Sequence, residues 1–246
     1  MTGIVVIISF FIAFFLYICV PWICGRCCRG IIRIKAVRSG VLVLTFDDGP
    51  STWLTPAILD LLAEYNVKAS FFLLGRNIPG RESVVRQIYA QGHDICSHGH
   101  DHLNYWNVSP LRAVADIKHG WQAIDTALDT NRGTYPFRPP YGRLNLVCLV
   151  YLLLHRVPIV YWTVDTGDTW PPSSRDKNRA ASLIKKTCGA VTLAHDFDRK
   201  REDTSKMILE VTGSLLEQAK IKGMRVVTVS ELLKNKKKIY QPRVVE

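Results

Sequence analysis

Two adjacent carboxylates, Asp47 and Asp48, end an apolar run and open a Gly-Pro turn in the stretch LTFDDGP, residues 44–50. Taken alone, Asp-Asp-Gly-Pro is a turn signal, because all three residue types favour turn geometry. The preceding Leu44-Thr45-Phe46 instead delivers the acids to a strand end. Further along, His98 and His102 in HGHDH are spaced i, i+4, so both imidazoles can face one ligand if the segment coils into a helical turn. Such pairs also arise incidentally. Joined by a carboxylate from the first strand, they make three protein ligands and leave one position open, the pattern of a catalytic zinc. His100 and Asp101 lie between and would point elsewhere on such a turn. Arg138, in FRPPYG, is either a surface cation or a group whose direction the two following prolines hold. His195, in LAHDF, follows an apolar run, where a lone histidine is ordinarily a satisfied strand-end residue; His93, His119 and His155 read as structural.

The elements that must position these groups alternate β-rich and amphipathic runs, which argues for βα units and a parallel sheet. The candidate strands are residues 41–46, 69–75, 93–98, 135–141, 159–165, 190–196 and 225–230, with helical stretches at 55–66, 109–130 and 202–223. A seven-unit barrel fits this series better than a doubly wound sheet. Asp47, Asp48, His98, Arg138, Asp165 and His195 all fall at or just past the C-terminal ends of these strands, the ends that gather at one face of a parallel α/β barrel.

The chain is 246 residues long, 48% hydrophobic and 22% charged, enough for one catalytic-size domain with an appendage. The appendage is Ile4–Cys24, which has no charged residue and is long enough to cross a bilayer core of about 20 residues. A transmembrane helix is expected there rather than a cleaved signal peptide, since no positive region precedes it and no small-x-small site follows. Arg26, Arg29, Arg33, Lys35 and Arg38 come next, a bias that favours a cytoplasmic body by the positive-inside rule. The expected organisation is an anchor at 1–25, a basic Cys-containing linker at 26–40, the barrel at 41–231 and a basic tail at 232–246. The net charge of +11 comes largely from the juxtamembrane and tail runs, which suit an anionic lipid surface. No nucleic-acid motif accompanies it, so no nucleic-acid partner is expected. Of the seven cysteines, Cys19, Cys24, Cys27 and Cys28 crowd the membrane end without a second paired set for zinc, and a disulfide framework is not expected. The apolar run at 144–156 is too short to span and suits either the core or membrane-facing packing.

TFDDGP, HGHDH, RPPY, VDTGDTW and LAHD, in that order, resemble the five motifs of the polysaccharide deacetylase family, the NodB-homology or carbohydrate esterase family 4 enzymes, over residues 41–231. The resemblance implies a distorted (β/α)7 barrel, one divalent metal, most often zinc, and removal of an N-acetyl or O-acetyl group from a sugar; the leading expectation is an N-acylated amino sugar, in a wall glycan or a lipid-linked saccharide. By position it implies Asp47 as base, Asp48, His98 and His102 as metal ligands, and Arg138 as the group orienting Asp47. The Tyr141 backbone N–H resembles the oxyanion donor. Asp165 would orient His195, the general acid, and Leu193 and Trp170 would line the acyl pocket.

Two positions depart from the family pattern. Gly99 stands where the second motif carries Ser or Thr, so a looser loop is expected, and Thr169 is inserted before Trp170, which alters the expected pocket. The competing class is a membrane-anchored glycan-binding protein that kept the barrel without the chemistry. Such relatives lose a metal ligand or the base, and this chain has all of them.

Overall fold

The computed structural model of the chain describes residues 2–169, 179–197 and 202–234; the basic tail beyond Lys234 lies outside them. The chain opens with α1 (Thr2–Phe14), which runs through a π-helical turn at Phe15–Cys19 into α2 (Val20–Ser39). Pro21, which has no N–H to donate, coincides with the switch. Gly40 ends α2 at φ 60°, its N–H returning to the carbonyls of Ala36 and Val37.

From there the chain alternates: β1 (Val41–Val43), β2 (Thr45–Asp47), α3 (Leu54–Glu64), β3 (Ser70–Leu73), α4 (Glu82–Ala90), β4 (Asp94–Ser97), α5 (Pro110–Leu128), α6 (Leu146–Leu154), β5 (Val164–Asp165), α7 (Arg179–Lys185), β6 (Ala190–His195), α8 (Glu202–Ile221), β7 (Arg225–Val226) and α9 (Val229–Lys234). All strand pairings are parallel, and they close a ring. β2 lies between β3 and β6, β3 pairs with β4, Ser97 bridges Phe137, Phe137 bridges Ile159, and the same segment returns to β6 through Val164 and Asp165. The staves are short and buried, as in β2 and β3, where every residue is enclosed.

Two expected strands shrink for identifiable reasons. Residues 135–141 contribute only the Phe137 bridge, because Pro136, Pro139 and Pro140 remove ladder donors. The run at 225–230 stops at Val226 because Thr228 and Glu231 form a capping box: the Thr228 N–H donates to Glu231 Oε2 at 3.0 Å and the Glu231 N–H to Thr228 Oγ1 at 3.3 Å, starting α9.

The expected linker at 26–40 is helix for nearly its whole length. Ile32 and Ala36 of α2 are buried with Val41, Val43, Val191 and Val227, and Gly189, just before β6, touches the Ala36 backbone where any side chain would collide. A glycine there lets the helix lie directly on the barrel wall. Since α2 feeds β1 through one tight turn, it runs antiparallel to the strands. Its first turns therefore lie at the end where the strands' C-termini emerge: a Cβ on Gly25 would lie 2.8 Å from Tyr161 Oη, and Arg29 stacks on Trp162. The apolar run at 144–156 divides its faces, with Cys148, Leu149 and Leu152 of α6 buried and Val147, Val150, Leu153 and Leu154 exposed.

Candidate active site

Asp47 ends β2 and is 2% exposed. Arg138 Nη1 donates to Asp47 Oδ1 at 2.6 Å and to Thr45 Oγ1 at 2.7 Å, while Arg138 Nε donates to the Val160 carbonyl at 3.3 Å. The guanidinium also lies 4.0 Å from the Phe72 ring centroid, fully enclosed. Burial pushes the Asp47 carboxyl above the ordinary aspartate range, and the attraction of Arg138 opposes that rise in part. Asp48 follows at φ 72°, a left-handed conformation that turns it off the strand line; Asn77 Nδ2 holds its carbonyl at 2.7 Å. The two adjacent acids share one neighbour and differ in the other: Asp47 Oδ2 lies 3.7 Å and Asp48 Oδ1 3.6 Å from His98 Nε2, while Arg138 binds Asp47 and His102 faces Asp48.

Asp48 Oδ1 faces His98 Nε2 at 3.6 Å and His102 Nε2 at 3.4 Å, and it is buried with no hydrogen-bond partner. His98 Nδ1 donates to the Arg138 carbonyl at 2.7 Å, which leaves the Nε2 lone pair directed between the two carboxylates. Burial drives the His98 pKa down to about 3 and lowers that of His102, with Asp48 opposing the fall in both, so the imidazoles are neutral at pH 7 and available as ligands. The ligand atoms of Asp48, His98 and His102 lie within 4.8 Å of one another. An orphaned carboxylate oxygen between two neutral imidazoles fits one divalent ion.

The two histidines do not meet through a helical turn. Residues 98–102 are an irregular loop with Gly99 at φ 83° and His102 at φ 57°, and the two rings approach to 5.1 Å between centroids. His100 turns away to face His119. Nor is the loop slack for want of a hydroxyl at position 99. Asp116 of α5, 3% exposed, accepts the N–H of His100 at 3.1 Å, the N–H of Asp101 at 2.7 Å and the Tyr105 hydroxyl at 2.7 Å. It occupies the space a side chain at Gly99 would need.

His195 ends β6, and Asp168 rather than Asp165 holds it: His195 Nδ1 lies 3.1 and 3.2 Å from the two Asp168 oxygens. The reason is register. Asp165 pairs with Leu193, two residues short of His195, and its carboxylate accepts the Gly167 N–H at 2.8 Å, bending the chain so that Asp168 arrives beside the histidine. Thr166 Oγ1 donates to Asp168 Oδ1 at 2.7 Å. Asp168 is 1% exposed. Burial works against charge on His195, but Asp168, with Asp47 and Asp48 behind it, raises the pKa to about 9. The register of β5 on β6 was the signal that would have found Asp168, and pairing register cannot be read from composition. Asp196, also unanticipated, lies buried under Gly49 with Thr55 Oγ1 donating to it at 2.6 Å, and burial pushes it up to about 7.

Tyr141 stands at φ 58° with its ring 4.6 Å from that of His102. Leu193 is buried on β6, and Trp170 lies outside the described residues. Three residues around the site, Asp48, His102 and Tyr141, hold positive φ without being glycine, local strain that clusters at working sites. A cleft of about 330 Å³ opens beside Asp48 and His102, lined also by Leu74, Arg76, Asn77 and Phe197.

The polysaccharide deacetylase family profile matches residues 35–152. The peptidoglycan-N-acetylglucosamine deacetylase PgdA of Listeria monocytogenes is 34% identical over 213 residues, which cover 83% of this chain and 41% of that protein. This chain thus spans about two fifths of that relative's length. A peptidoglycan-N-acetylglucosamine deacetylase of Bacillus cereus is 35% identical over 200 residues, 80% of this chain and 69% of that protein. Among solved structures, the Bc1960 peptidoglycan N-acetylglucosamine deacetylase superposes with a TM-score of 0.72 at 28% identity, covering 82% of this chain and 92% of the other.

Proposed function

The chain belongs to the polysaccharide deacetylase family, and from that premise we propose that it is a metal-dependent hydrolase that removes an N-acyl group, most readily acetyl, from an amino sugar. The observation that carries this reading is the division of labour between the two adjacent acids, which both approach His98 while Arg138 binds Asp47 alone and His102 faces Asp48.

Asp48, His98 and His102 would hold the metal, zinc being the first candidate for a site of two imidazoles and one carboxylate. A divalent ion there supplies Lewis acidity that polarises the acyl carbonyl and acidifies water. Asp47, its pKa raised by burial, accepts the proton of the attacking water, and Arg138 fixes the direction of its carboxylate. The Tyr141 backbone N–H is assigned to the carbonyl oxygen as it gains charge. His195, protonated at neutral pH, gives its proton to the departing amine, and Asp168 holds the ring with Nε2 free for that transfer. Leu193 and Trp170 are assigned to the acyl pocket.

We also assign the N-terminal helix to a membrane. Phe15–Ser39 includes a stretch apolar enough to cross one, Ile4 to Ile8, Phe11 and Ile12 ahead of it are exposed, and α6, which bears an exposed apolar face, contacts the Phe15–Cys19 turn, whereas the later turns of α2 lie on the barrel. The test is direct: full-length protein in detergent, with zinc or with chelator, is given N-acetylated glucosamine oligosaccharides and peptidoglycan, and acetate is measured. Chelator-sensitive release is expected. No release from any N-acetylated saccharide with metal present removes the assignment.

A further inference from the structure

On the far side of Tyr141 from the cleft, a pocket of about 210 Å³ is lined by Trp22, Gly25, Arg26 and Arg29 of α2 and by Trp106, Tyr141, Gly142, Arg143 and Tyr161 of the barrel. Its three cations are mounted on aromatic rings: Arg26 lies 5.2 Å from the Trp22 centroid, Arg143 4.8 Å from Trp106, and Arg29 5.6 and 5.1 Å from Tyr161 and Trp162. Among the described residues no carboxylate stands within ion-pair distance of any of the three, and Arg29 Nε is buried without a hydrogen-bond partner. Gly142 stands at φ 67°, where a Cβ would lie 3.2 Å from Trp162 Cη2, the ring on which Arg29 rests.

Three guanidiniums held on aromatic faces with no internal counter-charge form a receptor for a multiply charged planar or tetrahedral anion. Position narrows the class. Tyr141 is both a wall of this pocket and the neighbour of His102, so one ligand can span from the metal centre to the arginines. On the opposite side lie Trp22 and the uncharged stretch leading back along α1. Resting on the deacetylase reading above, we propose that Arg26, Arg29 and Arg143 bind the phosphate or diphosphate joining the substrate sugar to a lipid, so that the substrate is a lipid-linked N-acylated amino sugar.

The test uses full-length metal-loaded protein in detergent micelles and three substrates: polyprenyl-diphosphate-linked N-acetylglucosamine, soluble N-acetylglucosamine 1-phosphate and a neutral N-acetylated oligosaccharide. In the double variant Arg26→Gln/Arg143→Gln, which alters two exposed side chains, the rate ratio of lipid-linked to neutral substrate is expected to fall by about tenfold for each arginine removed. Pyrophosphate binding by titration is expected to weaken in the same variant and in wild type at high salt. Arg29→Gln should act in the same direction with a further loss. An unchanged ratio with unchanged pyrophosphate binding overturns the site. Equal rates on the soluble and lipid-linked phosphosugars overturn the lipid assignment. If wild type deacylates none of the three yet binds pyrophosphate in an arginine-dependent way, the deacetylase reading fails and the anion site stands.

Discussion

Asp47 and His195 are direct register partners across the parallel β2–β6 pair, so the proposed proton acceptor and proton donor project from adjacent strand ends. The backbone continues the link, with the Asp196 N–H donating to the Asp47 carbonyl at 3.0 Å. Main-chain pairing therefore holds the spacing of the two groups, independently of any loop.

Asp47→Asn should keep the hydrogen bond to Arg138 while losing the ability to take a proton. We expect kcat to fall by about 10²–10⁴-fold with one metal per chain retained, as read by elemental analysis. Asp47→Ala should also destabilise the fold by about 3–5 kcal/mol, because it leaves Arg138 buried without its counter-charge. Full activity in Asp47→Asn would take the residue out of the proposed base role.

Asp168 and Asp165 can be separated by pH. His195 must be protonated to donate, and its pKa of about 9 lies above the ordinary 6.5, so the protonated form is complete at neutral pH and lost as pH rises through about 9. The kcat profile should fall on that alkaline side. Asp168→Asn removes the main attraction and leaves burial to dominate, moving the limb down toward or below the ordinary histidine value. Asp165→Asn should leave the limb where it is; a shift in that variant and none in Asp168→Asn would restore the role first expected of Asp165.

Metal retention should resist acid. Both candidate ligand histidines have lowered pKa values, His98 to about 3, so protons compete for the site only below the ordinary histidine value. Equilibrium dialysis of zinc against pH should show half-release below 6.5, and His98→Ala or His102→Ala should release the metal at neutral pH. Loss of zinc with a midpoint at or above 6.5 in wild type would contradict this.

Restoring the family's usual hydroxyl should harm this chain. In Gly99→Ser a β-substituted residue must hold φ 83° and displace Asp116, and its Cβ would lie 2.8 Å from Tyr105 Oη. A loss of about 1–3 kcal/mol in unfolding free energy is expected, with Asp116→Ala similar because it orphans the amides of His100 and Asp101. Unchanged denaturant midpoints in both would show that Asp116 does not brace the loop.

The strand series was legible because buried parallel staves read as short apolar runs ending in polar residues, which located Asp47, Asp48, His98, Arg138 and His195 at one face. What escaped depended on relations between distant segments. Asp168 follows from the offset of β5 against β6, and Asp116 fills a void created by a glycine seventeen positions earlier in the chain. The segment 26–40 reads as a linker because its many arginines hide a narrow buried stripe at Ile32 and Ala36, which Gly25 continues just ahead of it. Thr228 and Glu231 could have been recognised as a capping box, but the β-branched run before them reads as strand.

The N-terminal helix is seated against the barrel along most of α2 and passes into α1 as helical backbone throughout. A domain on a flexible leash explores a volume around its attachment point, whereas one on a rigid mast is carried at a set height. Because this mast leaves from the end that bears the candidate active site, the proposed membrane mounting would confine the site's search to a plane. Encounter would then scale with the surface density of substrate in that plane, and material farther out in solution would contribute little to the rate.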